Sequence, residues 1–157
     1  MTMLLIQKIL WPTDQGKSAL HALETAIELA KIFNAELYAL QVVSQVPKIR
    51  EPEFASAGIY NDFDVTGYEQ ELMKTARDML DQTVSRLVPK TIMVKQHVEL
   101  GSPADVIVNF AREKGVDLIV MATHGRTGIT HLMLGSVTEK TIRNSSVPVL
   151  AIPWKEK

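Results

Sequence analysis

The chain contains no cysteine. That excludes disulfides, thiolate catalysis, iron–sulfur clusters and structural zinc of the cysteine type. It also lacks a charge excess, since 17 basic and 18 acidic side chains give a formal net charge of -1. Nucleic-acid partners ordinarily need a basic excess or stripe, so none is expected. No run of five like charges occurs, which leaves a polybasic membrane patch without support. No apolar stretch approaches the ~18 residues that span a bilayer. The apolar opening, Met1 to Trp11, is interrupted by Lys8 and lacks the basic n-region and small-residue cleavage site of a secretory signal. A soluble, cytoplasmic protein is the expectation. Catalytic clusters are missing too: there is no G-x-S-x-G elbow and no evident Ser-His-Asp set.

What is present is a globular balance, with 157 residues, 46% hydrophobic and 22% charged. That suits one domain, 1–157, with a real core. Short apolar runs alternate with helical patterns. Leu4 to Trp11 reads as a strand stopped by Pro12. Leu20, Leu23, Ile27, Ala30 and Phe33 mark a helix from about Ser18 to Asn34, and Leu37 to Val43 is a second strand. Gln45 to Gly67 carries Pro47, Pro52, Gly58 and Gly67 without a period, and is expected to be a mobile excursion. The next helix has Leu72, Ala76, Met79, Leu80 and Leu87 on its buried stripe and is closed by Pro89. Ile92, Val94 and Val98 alternate in a third strand covered on one face.

Ser102-Pro103-Ala104-Asp105 is a helix start, with serine as cap and proline in the first turn. Val106, Ile107 and Phe110 are expected to face inward, and Gly115 ends the helix. Asp117 to Ala122 is continuously apolar after its first residue, as in a central strand. A helix from Ser136 to Arg143 leads to a last strand, Val147 to Ile152, which Pro148 and Pro153 assign to a sheet edge. The order βαβ(loop)αβαβαβ predicts an α/β fold: a doubly wound, five-stranded parallel sheet with helices on both faces.

In such sheets, ligands sit beyond the carboxyl ends of the strands. Two ends are unusual here: Pro12-Thr13-Asp14, and ATHGRTGITHLMLGS from Ala122. Gly125, Gly128 and Gly135 would let backbone approach a ligand and adopt positive φ, so that amides converge on phosphate oxygens. Ser136 and Glu139 have capping-box spacing, and the helix end they fix suits an anion. The competing reading is a glycine-rich surface loop with an ordinary cap. Asp14, likewise, either contacts a ligand or caps the first helix. Gly16-Lys17-Ser18 imitates the tail of a P-loop, but the leading glycine of that motif would fall at Trp11, so the match fails. His21, His97, His124 and His131 have no adjacent carboxylate that completes a usual metal-ligand set.

ATHGRTGITHLMLGS followed by VTEKTIRNSSVPVLAIP resembles the signature of the universal stress protein family, ATP-binding type. Its ATP-binding members carry Gly, two residues, Gly, nine residues, then Gly and Ser or Thr. Gly125, Gly135 and Ser136 match the last three elements, while Ala122 replaces the first glycine. Gly16 stands where many relatives have serine. The resemblance implies strand order 3-2-1-4-5. Pro12, Thr13 and Asp14 would border ribose and adenine, with Val42 giving backbone hydrogen bonds to the adenine edge. Met121 and Ala122 would line the nucleoside pocket. From the residues themselves, Arg126 either pairs with a terminal phosphate or points to water, and Mg²⁺ would travel with the nucleotide, since it needs few protein ligands; the resemblance puts the phosphates on Gly125, Gly135, Ser136, Val137 and Thr138. It further implies a homodimer through Val147 to Ile152 and a stress- or energy-sensing role with an unidentified regulatory protein partner. The alternatives are a slow ATPase or phosphoryl-transfer enzyme using the same pocket, and a ligand-free dimeric adaptor. A flavin or receiver-type domain shares the topology, but the glycine pattern does not favour it.

Overall fold

The computed structural model of the chain describes residues 5–45, 65–124 and 134–154. The elements are β1 (Lys8–Thr13), α1 (Lys17–Phe33), β2 (Glu36–Val43), α2 (Val65–Leu87), β3 (Val94–Leu100), α3 (Pro103–Lys114), β4 (Leu118–Ala122), α4 (Ser136–Asn144) and β5 (Val149–Ile152). The five strands pair in parallel in the order β3-β2-β1-β4-β5. Most of the expected excursion, 46–64, lies outside the described residues, whereas Val65, Thr66 and Gly67 already belong to α2. Among the described residues no helix is long and apolar enough to cross a membrane.

Strand alternation builds two cores, because successive side chains point to opposite faces. Ile9, Trp11, Leu37, Ala39, Val120 and Ala122 pack with the small and aliphatic face of α1 and with Leu80 and Val84 of α2. Leu10, Tyr38, Leu40, Ile119 and Met121 pack on the other face with Ile107, Phe110 and Ala111 of α3 and with Val137 of α4. Trp11 is fully buried, and its indole N–H donates to the Ala19 carbonyl at 2.9 Å. A large apolar body is thereby buried with its polar atom satisfied, and β1 is tied to α1. Asn34 and Gly115 end α1 and α3 in the left-handed conformation, at φ 50° and 63°.

Four local expectations are corrected. Pro12 does not stop β1, which runs on to Thr13. The Gln7 carbonyl accepts from β2 and the Lys8 carbonyl from Asp117 on the β4 side. Alternation therefore turns Pro12 toward β4, beyond Leu10, where the β1–β4 register ends. On α2, the buried residues are Ala76, Leu80, Thr83 and Val84, while Met79 and Leu87 are exposed. Val88, just past the helix end, enters the core in place of Leu87. Ser102 takes the cap position of α3, but its hydroxyl makes no cap hydrogen bond. The last strand begins at Val149, and Pro148 and Pro153 flank it. Pro148 still contributes its carbonyl, which accepts the Ile119 N–H at 2.9 Å. β5 is an edge strand, as the prolines require.

Gly101 sets the entry into α3. Its φ is 155°, its N–H donates to the Val43 carbonyl at 2.9 Å, and a Cβ there would stand 2.8 Å from Val106 Cγ2. Gly101→Ala should therefore lower stability by about 1–3 kcal/mol, from backbone strain and overpacking. Urea unfolding should show an earlier midpoint at unchanged slope; a midpoint equal to the parent's would contradict this account of the turn.

Candidate functional site

A cavity of about 310 Å³ opens at the carboxyl ends of β1, β2 and β4, beneath the first turns of α3 and α4. This is where the chain order reverses, with β2 on one side of β1 and β4 on the other. The volume lies at the lower end of the roughly 300–1,000 Å³ of small-molecule pockets. Its apolar wall comes from alternate strand residues on the α3–α4 face: Leu40, Val42 and Met121, closed by Ile107 and Pro103 of α3.

The cavity brings together Pro12, Thr13, Asp14, Val42, Met121, Ala122, Gly135, Ser136, Val137 and Thr138 from the expected site. Gly125 and Arg126 lie outside the described residues. Ala19, Leu40, Pro103, Ile107 and His124 also line it and were not expected. Leu40 was recoverable from Val42, two residues away on the same strand face. Ile107 follows Pro103 by one helical turn. Ala19 carries no local signal.

After β1 the backbone bends sharply, with Gln15 at φ 63°. The Thr13 hydroxyl accepts the Gln15 N–H at 3.0 Å, and Asp14 Oδ1 accepts the Gly16 N–H at 2.8 Å. Gly16 is the N-cap of α1, and no side chain caps that helix. Asp14 thus holds an Asx-type turn in front of the helix. It does not cap it.

The alanine at the first motif position is accommodated. Among the described non-glycine residues positive φ occurs only at Gln15 and Asn34, so Ala122 carries no left-handed strain. Its side chain joins the α1-facing core, away from the wall of Leu40, Val42 and Met121.

At α4 the expected capping box does not form. Gly135 is the N-cap, Ser136 is the first helical residue, and no side-chain cap forms. Glu139 pairs instead with Arg143 at 2.6 Å. Gly135 has φ -60° and ψ 147°, so its role does not depend on positive φ. Its N–H donates to the Thr123 carbonyl at 2.7 Å, and the first helical bond runs from Glu139 N to the Gly135 carbonyl. The amides of Ser136, Val137 and Thr138 precede any intrahelical acceptor, which gives this end of the cavity partial positive charge. The Thr138 hydroxyl is committed to the Ala122 carbonyl at 2.8 Å. Its amide is what remains to offer.

His124 has its Nδ1 2.7 Å from the Thr123 hydroxyl, and its carbonyl accepts the Ser18 hydroxyl at 2.7 Å. Its Nε2 is the buried side-chain polar atom without a partner among the described residues. The histidines do not converge: His21 meets Glu24 and Trp154, and His97 lies against Tyr38 and Phe110, where burial lowers its pKa. His131 is outside the described residues. Among the described residues no group of three His, Cys, Asp or Glu side chains could hold a metal ion.

The sequence model of the Universal stress protein family matches residues 5–153. Universal stress protein MJ0531 of Methanocaldococcus jannaschii is 37% identical over 155 residues, covering 98% of this chain and 85% of the relative. The solved structure of MJ0577, from the same organism, superposes with a TM-score of 0.78 at 29% identity, covering 98% of this chain and 99% of that one. A universal stress protein in complex with cAMP shares the fold at a TM-score of 0.58 and 23% identity, over 95% and 98% of the two chains. One from Archaeoglobus fulgidus in complex with dAMP does so at 0.54 and 19%, over 96% and 99%. With its whole described fold inside the matched span, the chain belongs to the universal stress protein family.

Proposed function

We propose that the chain binds ATP in the cavity at the ends of β1 and β4 and acts as a dimeric regulatory module reporting stress or energy state. One observation carries the reading: a single cavity joins an apolar wall to the uncapped amino end of a helix. That combination suits a ligand with an apolar plane at one end and anionic oxygens at the other. Adenine would lie against Val42, Leu40, Ile107 and Met121, with backbone of Val42 at its edge. Asp14 would accept from a ribose hydroxyl, beside Pro12 and Thr13. The amides of Ser136, Val137 and Thr138, with Gly125, Gly135 and Arg126, would receive the phosphates. Mg²⁺ would arrive with the nucleotide, since it needs few protein ligands. The cAMP and dAMP complexes of two proteins of this fold agree with an adenine nucleotide as ligand class. The dimer would form along β5, whose edge leaves backbone unpaired and whose Leu150 is exposed, as is Ile142 of α4.

ATP should raise the melting temperature by mass action, and hydrolysis should stay well below the roughly 1–10³ s⁻¹ of ordinary enzymes. Absence of a thermal shift would favour a ligand-free adaptor, and fast, protein-proportional phosphate release would favour an enzyme. Gly135→Val should fold normally, because φ -60° and ψ 147° suit valine. It should nonetheless abolish measurable ATP binding by filling the space the phosphates need. Ser136→Ala removes one hydroxyl from a charged acceptor and should weaken binding about ten- to a hundredfold. Because Ser136 is not the cap, stability should change by no more than about 0.5 kcal/mol. Calorimetric titration of both variants decides; parent-like affinity in both would move the phosphates off α4. Light scattering at roughly tens of micromolar should return a dimer, and a monomer would contradict pairing along β5.

A further inference from the structure

Gln15 is the one residue between β1 and α1 that adopts the left-handed conformation, and it is not glycine. A non-glycine side chain holds that backbone only when its surroundings over-determine it. Here they do. The backbone N–H of Gln15 donates to the Thr13 hydroxyl at 3.0 Å. Its side-chain Nε2 donates to Gln41 Oε1 of β2 at 3.0 Å, and its Oε1 accepts the Thr83 hydroxyl of α2 at 2.8 Å. Thr83 is buried, and Gln15 and Gln41 are half-buried, so both bonds are partly buried. The amide is thus clamped, one donor and one acceptor, by two elements that come from distant parts of the chain. Neither Gln15 nor Thr83 lines the cavity.

The clamped residue lies between Asp14, which lines the cavity, and Gly16, whose N–H holds Asp14 Oδ1. The orientation of the Asp14 carboxylate therefore depends on where the Gln15 peptide is fixed. We propose that Gln15 is a positioning residue for sugar recognition: anchored on Gln41 and Thr83, it aims Asp14 at the ribose hydroxyls and so sets selectivity for ribose. This rests on the ATP reading above. Hydrogen bonds respond steeply to angle and distance, so a slack turn would lose the sugar contact first. The apolar wall and the α4 amides make no use of Gln15 and would go on binding base and phosphate.

The test compares ATP with 2′,3′-dideoxyATP by calorimetric titration in four proteins: the parent, Gln15→Ala, Gln15→Glu and Thr83→Val. In the parent, ATP should bind about ten- to a hundredfold more tightly, the effect of a hydrogen bond to a charged group. In Gln15→Ala the preference should collapse to about threefold or less, with dideoxyATP affinity itself changed less than about threefold. Thr83→Val, remote from the cavity, should lose part of the preference. Gln15→Glu keeps an acceptor for Thr83, and the Gln41 amide can turn to donate to it, so the preference should largely return. Full preference in Gln15→Ala overturns the positioning role while leaving ATP binding intact. A parallel loss of both nucleotides in Gln15→Ala and Thr83→Val marks a structural role and also overturns it. Equal affinities in the parent overturn the sugar contact on which it depends. A parent that binds neither nucleotide overturns the ATP reading itself.

Discussion

The central position of β1 is the constraint on which the rest depends. It pairs in parallel with β2 on one side and β4 on the other, so its carboxyl end is the place where the chain departs in both directions. A crevice at that point follows from topology. The buried Trp11 indole, bonded to the Ala19 carbonyl, fixes the first turn of α1 against β1 and with it one border of the crevice. Strand alternation then decides which side chains form its apolar wall. Leu40, Val42 and Met121 fall on the α3–α4 face, while Ala122 falls on the α1 face.

The two polar ends of the cavity are built differently. On the β1 side, side chains hold the backbone: Thr13 and Asp14 each accept an amide of the turn that follows. On the α4 side backbone carbonyls are the acceptors, that of Ala122 taking the Thr138 hydroxyl and that of Thr123 the Gly135 amide. These two bonds lock α4 onto the end of β4 and leave the next amides without intrahelical acceptors. An anion gains from such an end because the donors are already oriented.

Much of this was legible in the sequence. The alternation of short apolar runs with helical periods is a direct consequence of burial, so it gave the element order and the doubly wound sheet. The strand ends at Asp14 and Ala122 and the glycine–serine step at 135 and 136 marked the crevice from both sides. What escaped depends on neighbours. Pro12 is tolerated in β1 because the β4 ladder has already ended, which only the register reveals. Ser136 with Glu139 has the spacing of a capping box, but the Gly135 carbonyl accepts the Glu139 N–H, so Gly135 is the cap, Ser136 is already helical and no side chain caps the end. The left-handed turn at Gln15 leaves no mark in composition, since Gly16 beside it is the obvious candidate. Its cause is a clamp by Gln41 and Thr83, which are remote in sequence. Gly125 and Arg126 remain expectations, outside the described residues.

The central claim is that phosphates meet the amides opening α4 while adenine meets β2. Nuclear magnetic resonance of ¹⁵N-labelled protein, titrated with ATP, tests it residue by residue. The account predicts the largest amide shifts at Ser136, Val137 and Thr138, with a second group at Val42 and the turn from Asp14 to Gly16. Shifts confined to other surfaces, or none at saturating ATP, would contradict it.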